Sequence, residues 1–170
     1  MFTPLTDTEL KKELKDHLTV ICDTREQVNG HILDWFRKQK VPFLERGLAT
    51  GDYSVMWRNK SFEDEVLIER KANLDEIAGN FTTGRERFER EFTRAKANGT
   101  KVFLIVENAS WSDVFLGNYR SKLNPKSFLS SFLSWQAEFN ITILFCKPSE
   151  TPRIIHGILY YWVRNRLKRG

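Results

Sequence analysis

Asp52, Glu69 and Lys71 are the residues whose types and spacing could do chemistry together. Asp52 stands in Gly51-Asp52-Tyr53. Glu69 and Lys71 flank Arg70 in Ile68-Glu69-Arg70-Lys71, and Asp75 follows shortly after. Along a strand successive side chains alternate faces, so Glu69 and Lys71 project to one side and Arg70 to the other. Residues 53–57 and 66–68 are apolar runs separated by the polar segment 58–64, the pattern of two antiparallel strands joined by a loop. In that hairpin Asp52 comes beside Glu69 across the ladder, and two carboxylates converge with an ammonium. Mg²⁺ accepts one or two carboxylates and completes its shell with waters and phosphate oxygens. A cation so held acidifies water and neutralises charge on a phosphate under attack. A neighbouring lysine suits phosphate as a point charge. The competing reading is a solvated strand end after the buried Val66-Leu67-Ile68 run, since Glu-x-Lys alone is a common tripeptide.

The surroundings favour the first reading. Val20-Ile21-Cys22-Asp23-Thr24-Arg25-Glu26 is a short apolar strand running into charge, a usual place for a site on an α/β sheet. The ordered set Asp23-x-Arg25-Glu26, Gly51-Asp52-Tyr53, Glu69-Arg70-Lys71 and Asp75 resembles the nuclease domain of the XPF family of structure-specific DNA endonucleases. Gly84-Arg85, opening a helix, and Glu107, ending the strand 102–106, extend the resemblance, which covers roughly residues 18–146.

The resemblance implies that Asp52 and Glu69 bind Mg²⁺ or Mn²⁺, that Asp23 completes the metal site or supports it, and that Lys71 is the catalytic lysine. Arg25 and Glu26 match positions needed for activity, through phosphate contact and ordering of the site. Arg70 faces away from the metal by strand parity and is expected in a structural ion pair, with Asp75 as a possible partner. Asp75 has a second reading, because Asn73 and Glu76 look like a helix N-cap and its partner. Acids in a first turn also suit the helix dipole.

The elements that must position these residues follow from periodicity. Thr6 and Glu9 predict a capped helix over 6–16, and residues 29–39 carry Ile32, Leu33, Trp35 and Phe36 at helical spacing, expected to be core. A strand over 41–45 begins at a proline. Helices are expected over 74–78 and 85–97, the latter closed by Asn98-Gly99. The strand over 101–106, the helix over 126–139, the strand over 141–145 and the helix over 151–167 complete the order. Strands alternating with helices, plus one hairpin, predict an α/β three-layer domain with a mixed sheet. The family's fold is the restriction-endonuclease-like one. The 170 residues fit one domain, with 147–170 as a C-terminal basic helix.

Lysine and arginine number 27 against 22 aspartates and glutamates, a net charge of +5 that suits polyanions without requiring them. Cys22 and Cys146 form no metal motif and are expected reduced and buried, and His17, His31 and His156 are scattered. No apolar run approaches a membrane span, and residues 1–7 have no leader pattern, so a soluble intracellular protein without nucleotide cofactor is expected.

Two surfaces remain open to two readings each. Arg85 follows a polar turn whose helix N-terminus could hold a phosphate, and by resemblance it lies along the DNA path. Yet Arg87, Arg90 and Arg94 alternate with Glu86, Glu89 and Glu91, as on any solvated helix. The cations Arg164, Arg166, Lys168 and Arg169 complement a helix C-terminus or grip a DNA backbone. Glu89 stands near a position where many family members carry glutamine. Cellular members also continue into helix-hairpin-helix repeats, which this sequence lacks, so DNA affinity is expected from this domain, a second copy or a partner. Phe128, Leu129, Phe132, Leu133, Trp135 and Phe139, or residues 158–162, offer apolar surface for a homodimer or simply for the core. The sequence-level expectation is a metal-dependent endonuclease acting on branched or flapped DNA. The alternatives are a catalytically silent DNA-binding scaffold and a phage-type junction resolvase.

Overall fold

The computed structural model describes residues 5–169; the reading of the N-terminal leader falls mostly outside them. Helix α1 (Asp7–His17) opens in the expected capping box, with the Thr6 hydroxyl accepting from the Glu9 amide and the Glu9 carboxylate accepting from the Thr6 amide. Strand β1 (Leu18–Cys22), helix α2 (Gly30–Gln39) and strand β2 (Phe43–Glu45) follow. Then come β3 (Tyr53–Trp57), a short β4 (Lys60–Ser61) and β5 (Val66–Lys71). Helices α3 (Leu74–Phe81) and α4 (Arg85–Ala97) lead to β6 (Lys101–Glu107), and α5 (Trp111–Leu116) and α6 (Pro125–Glu138) lead to β7 (Ile141–Cys146). Helix α7 (Thr151–Arg169) closes the described chain. The short helix α5, and the two residues of β4, are elements the periodicity did not announce.

The strands lie in the order β2-β1-β3-β5-β6-β7, with β4 paired to β3. β1 and β2 run parallel, as do β5, β6 and β7, while β3 is antiparallel to both β1 and β5. Parallel neighbours need crossover helices, and both sheet faces are buried as a result. Helices α3 to α6 cover one face through Ile77, Phe81, Phe88, Phe92, Phe132 and Trp135. Helices α1, α2 and α7 cover the other through Leu14, Ile32, Phe36, Ile155, Leu159 and Val163. The expected three layers and mixed sheet are therefore present. Phe128, Phe132 and Trp135 of α6 are spent on the core, and Leu133 is left half exposed. Among the described residues no helix is long and apolar enough to cross a membrane.

Two features of this frame matter for the site. Between β3 and β5 only Tyr53↔Ile68 is in register among the described residues, so the block of β2, β1 and antiparallel β3 meets the parallel block of β5, β6 and β7 at a short seam. And strand parity sorts β5: Val66 and Ile68 pack into the layer of α1, α2 and α7, so Arg70 belongs to that face. Glu69 and Lys71 belong to the face of α3 and α4.

Candidate functional site

The carboxyl ends of β5, β6 and β7 share one pole of the sheet, with Lys71 beside Val106 and Glu107 beside Cys146. Asp52 reaches that pole from the start of β3. Gly51 turns the chain there at φ +75°, a conformation L side chains rarely adopt, and a Cβ on it would stand 3.2 Å from the Leu67 Cβ. The Asp52 amide then donates to the Ile68 carbonyl at 2.8 Å, and the Arg70 amide donates to the Asp52 Oδ2 at 2.7 Å. Asp52 is thereby set beside Glu69 across the seam, as strand pairing predicted.

Lys71 Nζ lies 2.8 Å from Glu69 Oε1 and 3.7 Å from Glu76 Oε1, with its charge over the Phe88 ring at 5.3 Å. Burial pushes the Asp52 carboxyl up to about 9, and the neighbouring Glu69 and Glu26 charges push the same way against the Arg70 amide. Burial also raises Glu69, opposed by Lys71. For Lys71 burial works against the charge, and the Glu69, Asp52 and Glu76 carboxylates outweigh it, so its ammonium is strengthened. Two buried carboxylates that resist ionising side by side are a donor pair short of positive charge. That chemistry fits a hard dication, which needs no more than two protein carboxylates. Among the described residues no group of three or more His, Cys, Asp or Glu is arranged to hold a metal.

Arg70 faces the opposite layer. Its Nη1 donates to Glu26 at 2.6 Å and its Nη2 to Glu107 at 2.8 Å, and Glu107 also meets His31 Nε2 at 2.8 Å. The expected pairing with Asp75 is corrected here: Asp75 accepts from the Arg120 and Ser121 amides and tethers the segment after α5. The cap itself is Asn73, which accepts from the Glu76 amide. Arg70 cannot reach Asp75 because strand parity sends it into the α2 layer, whereas α3 lies on the other face. Glu107 entered the sequence reading only through the family resemblance, Glu76 only as the partner of the Asn73 cap and His31 only as a scattered histidine, none of them as a partner of Arg70 or Lys71. Glu107 had a signal in its place at the carboxyl end of a buried strand.

The remaining expected residues divide. Arg25, Glu26, Asp52 and Lys71 line one cleft of about 380 Å³. Asp23 is buried, with Oδ1 accepting from the Leu48 amide and Oδ2 from Arg25 Nε at 2.7 Å. It thus fixes Arg25, whose Nη2 also donates to the Leu48 carbonyl. On the rim, Val28 adopts φ 55° with its side chain exposed, an unusual conformation for a β-branched residue. Arg85 pairs with Glu89 at 2.8 Å, donates to Ser131 and lies over the Trp135 ring at 5.9 Å. The basic tail lies at the other pole. Helix α7 runs back from β7, so Arg166 meets Glu65, just before β5, and Arg164 and Lys168 meet Asp7. Arg169 lies near Glu65 and Asn98 at that same pole. The structure does not bring these four cations to Asp52 and Glu69.

With that geometry in hand, the chain can be compared with known proteins. The ERCC4 domain family profile matches residues 22–158. XPF from Aeropyrum pernix is similar in fold, with TM-score 0.64 and 22% identity over 85% of this chain and 61% of that one. XPF from Aeropyrum pernix in a complex with DNA gives TM-score 0.63 and 20% identity over 86% of this chain and 66% of that one. The chain thus spans about three fifths to two thirds of the length of these proteins. The architecture is that of the XPF nuclease domain, a restriction-endonuclease-like fold. No curated protein sequence matches this chain.

Proposed function

The chain belongs to the ERCC4 domain family, a family of nuclease domains, and from that premise we propose a metal-dependent DNA endonuclease acting on branched or flapped duplexes. The observation that carries the reading is the convergence of Asp52 and Glu69 across the seam with Lys71 2.8 Å from Glu69.

Asp52 and Glu69 would hold Mg²⁺ or Mn²⁺, which when bound supplies an acidified water and charge neutralisation at the scissile phosphate. Lys71, held charged by three carboxylates, orients the attacking water or meets the charge that grows on the phosphate. Asp23 acts as a positioning residue, holding the Arg25 guanidinium at the cleft mouth where a phosphate can reach it. Glu26 and Arg70 keep the loop after β1 against β5. The ion pairs of Arg85 and of Arg164, Arg166 and Lys168 leave those residues a secondary share in DNA contact. The DNA-bound relative supports DNA as the ligand. One nuclease domain spanning the chain, paired as a homodimer through exposed Phe115, Leu116 and Leu133, completes the proposal, and light scattering tests the pairing.

The test is incubation with Mg²⁺ or Mn²⁺ and labelled flap, fork, four-way, duplex and single-stranded DNA, with Glu69→Ala and Lys71→Ala alongside. Junction-dependent incision abolished in both variants is expected. Binding without incision, equal in wild type and variants, replaces the enzyme by a silent scaffold. Preference for the four-way substrate makes it a resolvase.

A further inference from the structure

Helices α2 and α7 pack side by side, yet between them a cleft of about 550 Å³ stays open. Its wall on α2 is Trp35, half buried although its helical spacing suggested core. Its wall on α7 is Arg153, His156, Gly157, Tyr160 and Tyr161, spaced so that they share one helical face. The rings form a row: Trp35 to His156 is 6.2 Å between centroids, His156 to Tyr160 is 5.9 Å and Tyr160 to Tyr161 is 5.2 Å. Tyr161 is 58% exposed, so the row is not roofed by the fold.

Gly157 lies at the floor of the cleft, mid-helix, where glycine costs about 1 kcal/mol relative to alanine. Nothing lies within 4 Å of the position its Cβ would take, so packing does not require the glycine. It leaves a flat floor. Arg153 is exposed and forms no ion pair among the described residues. Helix α7 contains no acidic residue along its 19 positions. Burial lowers the His156 imidazole, which leaves it a neutral ring at neutral pH.

The cleft begins at the carboxylate pole. His31, in the first turn of α2, touches Glu107, and Thr151, first in α7, touches Cys146 beside Glu107. Trp35 and Arg153 therefore lie within about 6 Å of axial rise of that pole.

We infer that the groove between α2 and α7 is a binding site for an unpaired DNA strand, whose bases stack on Trp35, His156 and Tyr160 over the Gly157 floor while Arg153 meets a phosphate. A row of aromatic rings, tilted to one another by 49°, 51° and 83°, next to the cation Arg153 suits a flexible single strand, since every base has a stacking face. A duplex keeps those faces inside its own stack and gains nothing there. The inference rests on DNA as the ligand and deepens the proposed function: the strand displaced at a branch leaves the cleft lined by Arg25, Glu26 and Asp52 along this groove.

The test is binding, in EDTA, of a fluorescent thymidine oligonucleotide and of a blunt duplex to wild type, Trp35→Ala, Arg153→Glu and Gly157→Leu. Gly157→Leu intrudes on the groove from a position whose Cβ meets nothing within 4 Å and favours the helix over glycine, so it remains decisive if Trp35→Ala unfolds. Single-strand affinity falling roughly 5- to 100-fold in Trp35→Ala, from the loss of one stacked base, and falling also in Gly157→Leu and Arg153→Glu, is expected, with the blunt-duplex affinity of Trp35→Ala and Gly157→Leu held within about twofold. Wild-type single-strand affinity in Gly157→Leu, or an equal loss on the duplex, overturns the site. A wild-type dimer that Gly157→Leu dissociates gives the groove to a second copy and overturns it too. Incision by wild type with Mn²⁺ is scored separately, so failure of the nuclease reading is seen apart from failure of the groove.

Discussion

Arg70 Nη2 lies 2.8 Å from Glu107 Oε2, both side chains almost wholly buried at the carboxyl ends of adjacent parallel strands. Removing one partner of a buried pair strands the other charge, which costs about 3–5 kcal/mol. Arg70 serves two carboxylates, so Arg70→Ala strips Glu26 of its ion pair and leaves Glu107 only His31. The expected outcome is a loss of about 3–5 kcal/mol in urea unfolding. Arg70→Lys is expected to recover only part, since an ammonium cannot span both acids in that fork.

Burial acts to raise the Glu107 carboxyl, but hydrogen bonds from Arg70, His31 and Thr151 outweigh it and hold it below the ordinary carboxylate value. A depressed carboxyl contributes stability that is present above its unfolded value, about 4.3, and is lost as pH falls through the lower folded value. Thermal midpoints of wild type are expected to drop as pH falls below about 4.3, more steeply than those of Glu107→Gln. Parallel slopes for the two proteins would assign the acid sensitivity elsewhere.

Gly51→Ala places a side chain at φ +75° and 3.2 Å from the Leu67 Cβ. The left-handed conformation alone costs about 1–2 kcal/mol. A loss of about 2 kcal/mol is expected, together with weaker incision, because Asp52 is the next residue. An unchanged melting temperature would show that the turn relaxes without strain.

At Val28 the sign reverses. Its φ of 55° carries a strain of about 1–2 kcal/mol, and glycine removes it at an entropy cost of about 0.5–1 kcal/mol. Val28→Gly is expected to stabilise the fold by about 0.5–1 kcal/mol, read as a higher urea midpoint. A lower midpoint would mean that the exposed side chain contributes packing after all.

Asp75 accepts from the amides of Arg120 and Ser121 at 2.8 and 2.7 Å. Asp75→Ala is expected to cost about 1–2 kcal/mol and to speed hydrogen exchange at those two amides, leaving the Asn73 cap intact. Unchanged exchange there would remove Asp75 from the tether.

What was legible in the sequence was what short-range periodicity controls. The period of two along β5 sent Glu69 and Lys71 one way and Arg70 the other, and helix α4 runs over the residues its pattern indicated. The partners of Arg70 were not legible, because Glu26 and Glu107 are far from it in sequence and meet it only once β1, β5 and β6 are assembled. Helix α5 was missed for a different reason: six residues do not establish a period. The basic tail was visible as a run of charge, but its pole depended on the direction in which α7 returns along the sheet.

Asp52 and Glu69 stand on opposite sides of the seam where β3 meets β5. Asp52 leads into β3, on the block of β2, β1 and antiparallel β3, and Glu69 lies in the parallel block of β5, β6 and β7; the contacts Asp52 N–H to Ile68 O and Arg70 N–H to Asp52 Oδ2 are the pins between the blocks at that point. Their separation is therefore a property of the joint, not of either block. The pair works like the jaws of a caliper: whatever lies across both blocks and draws them together narrows the gap, and whatever wedges the joint widens it.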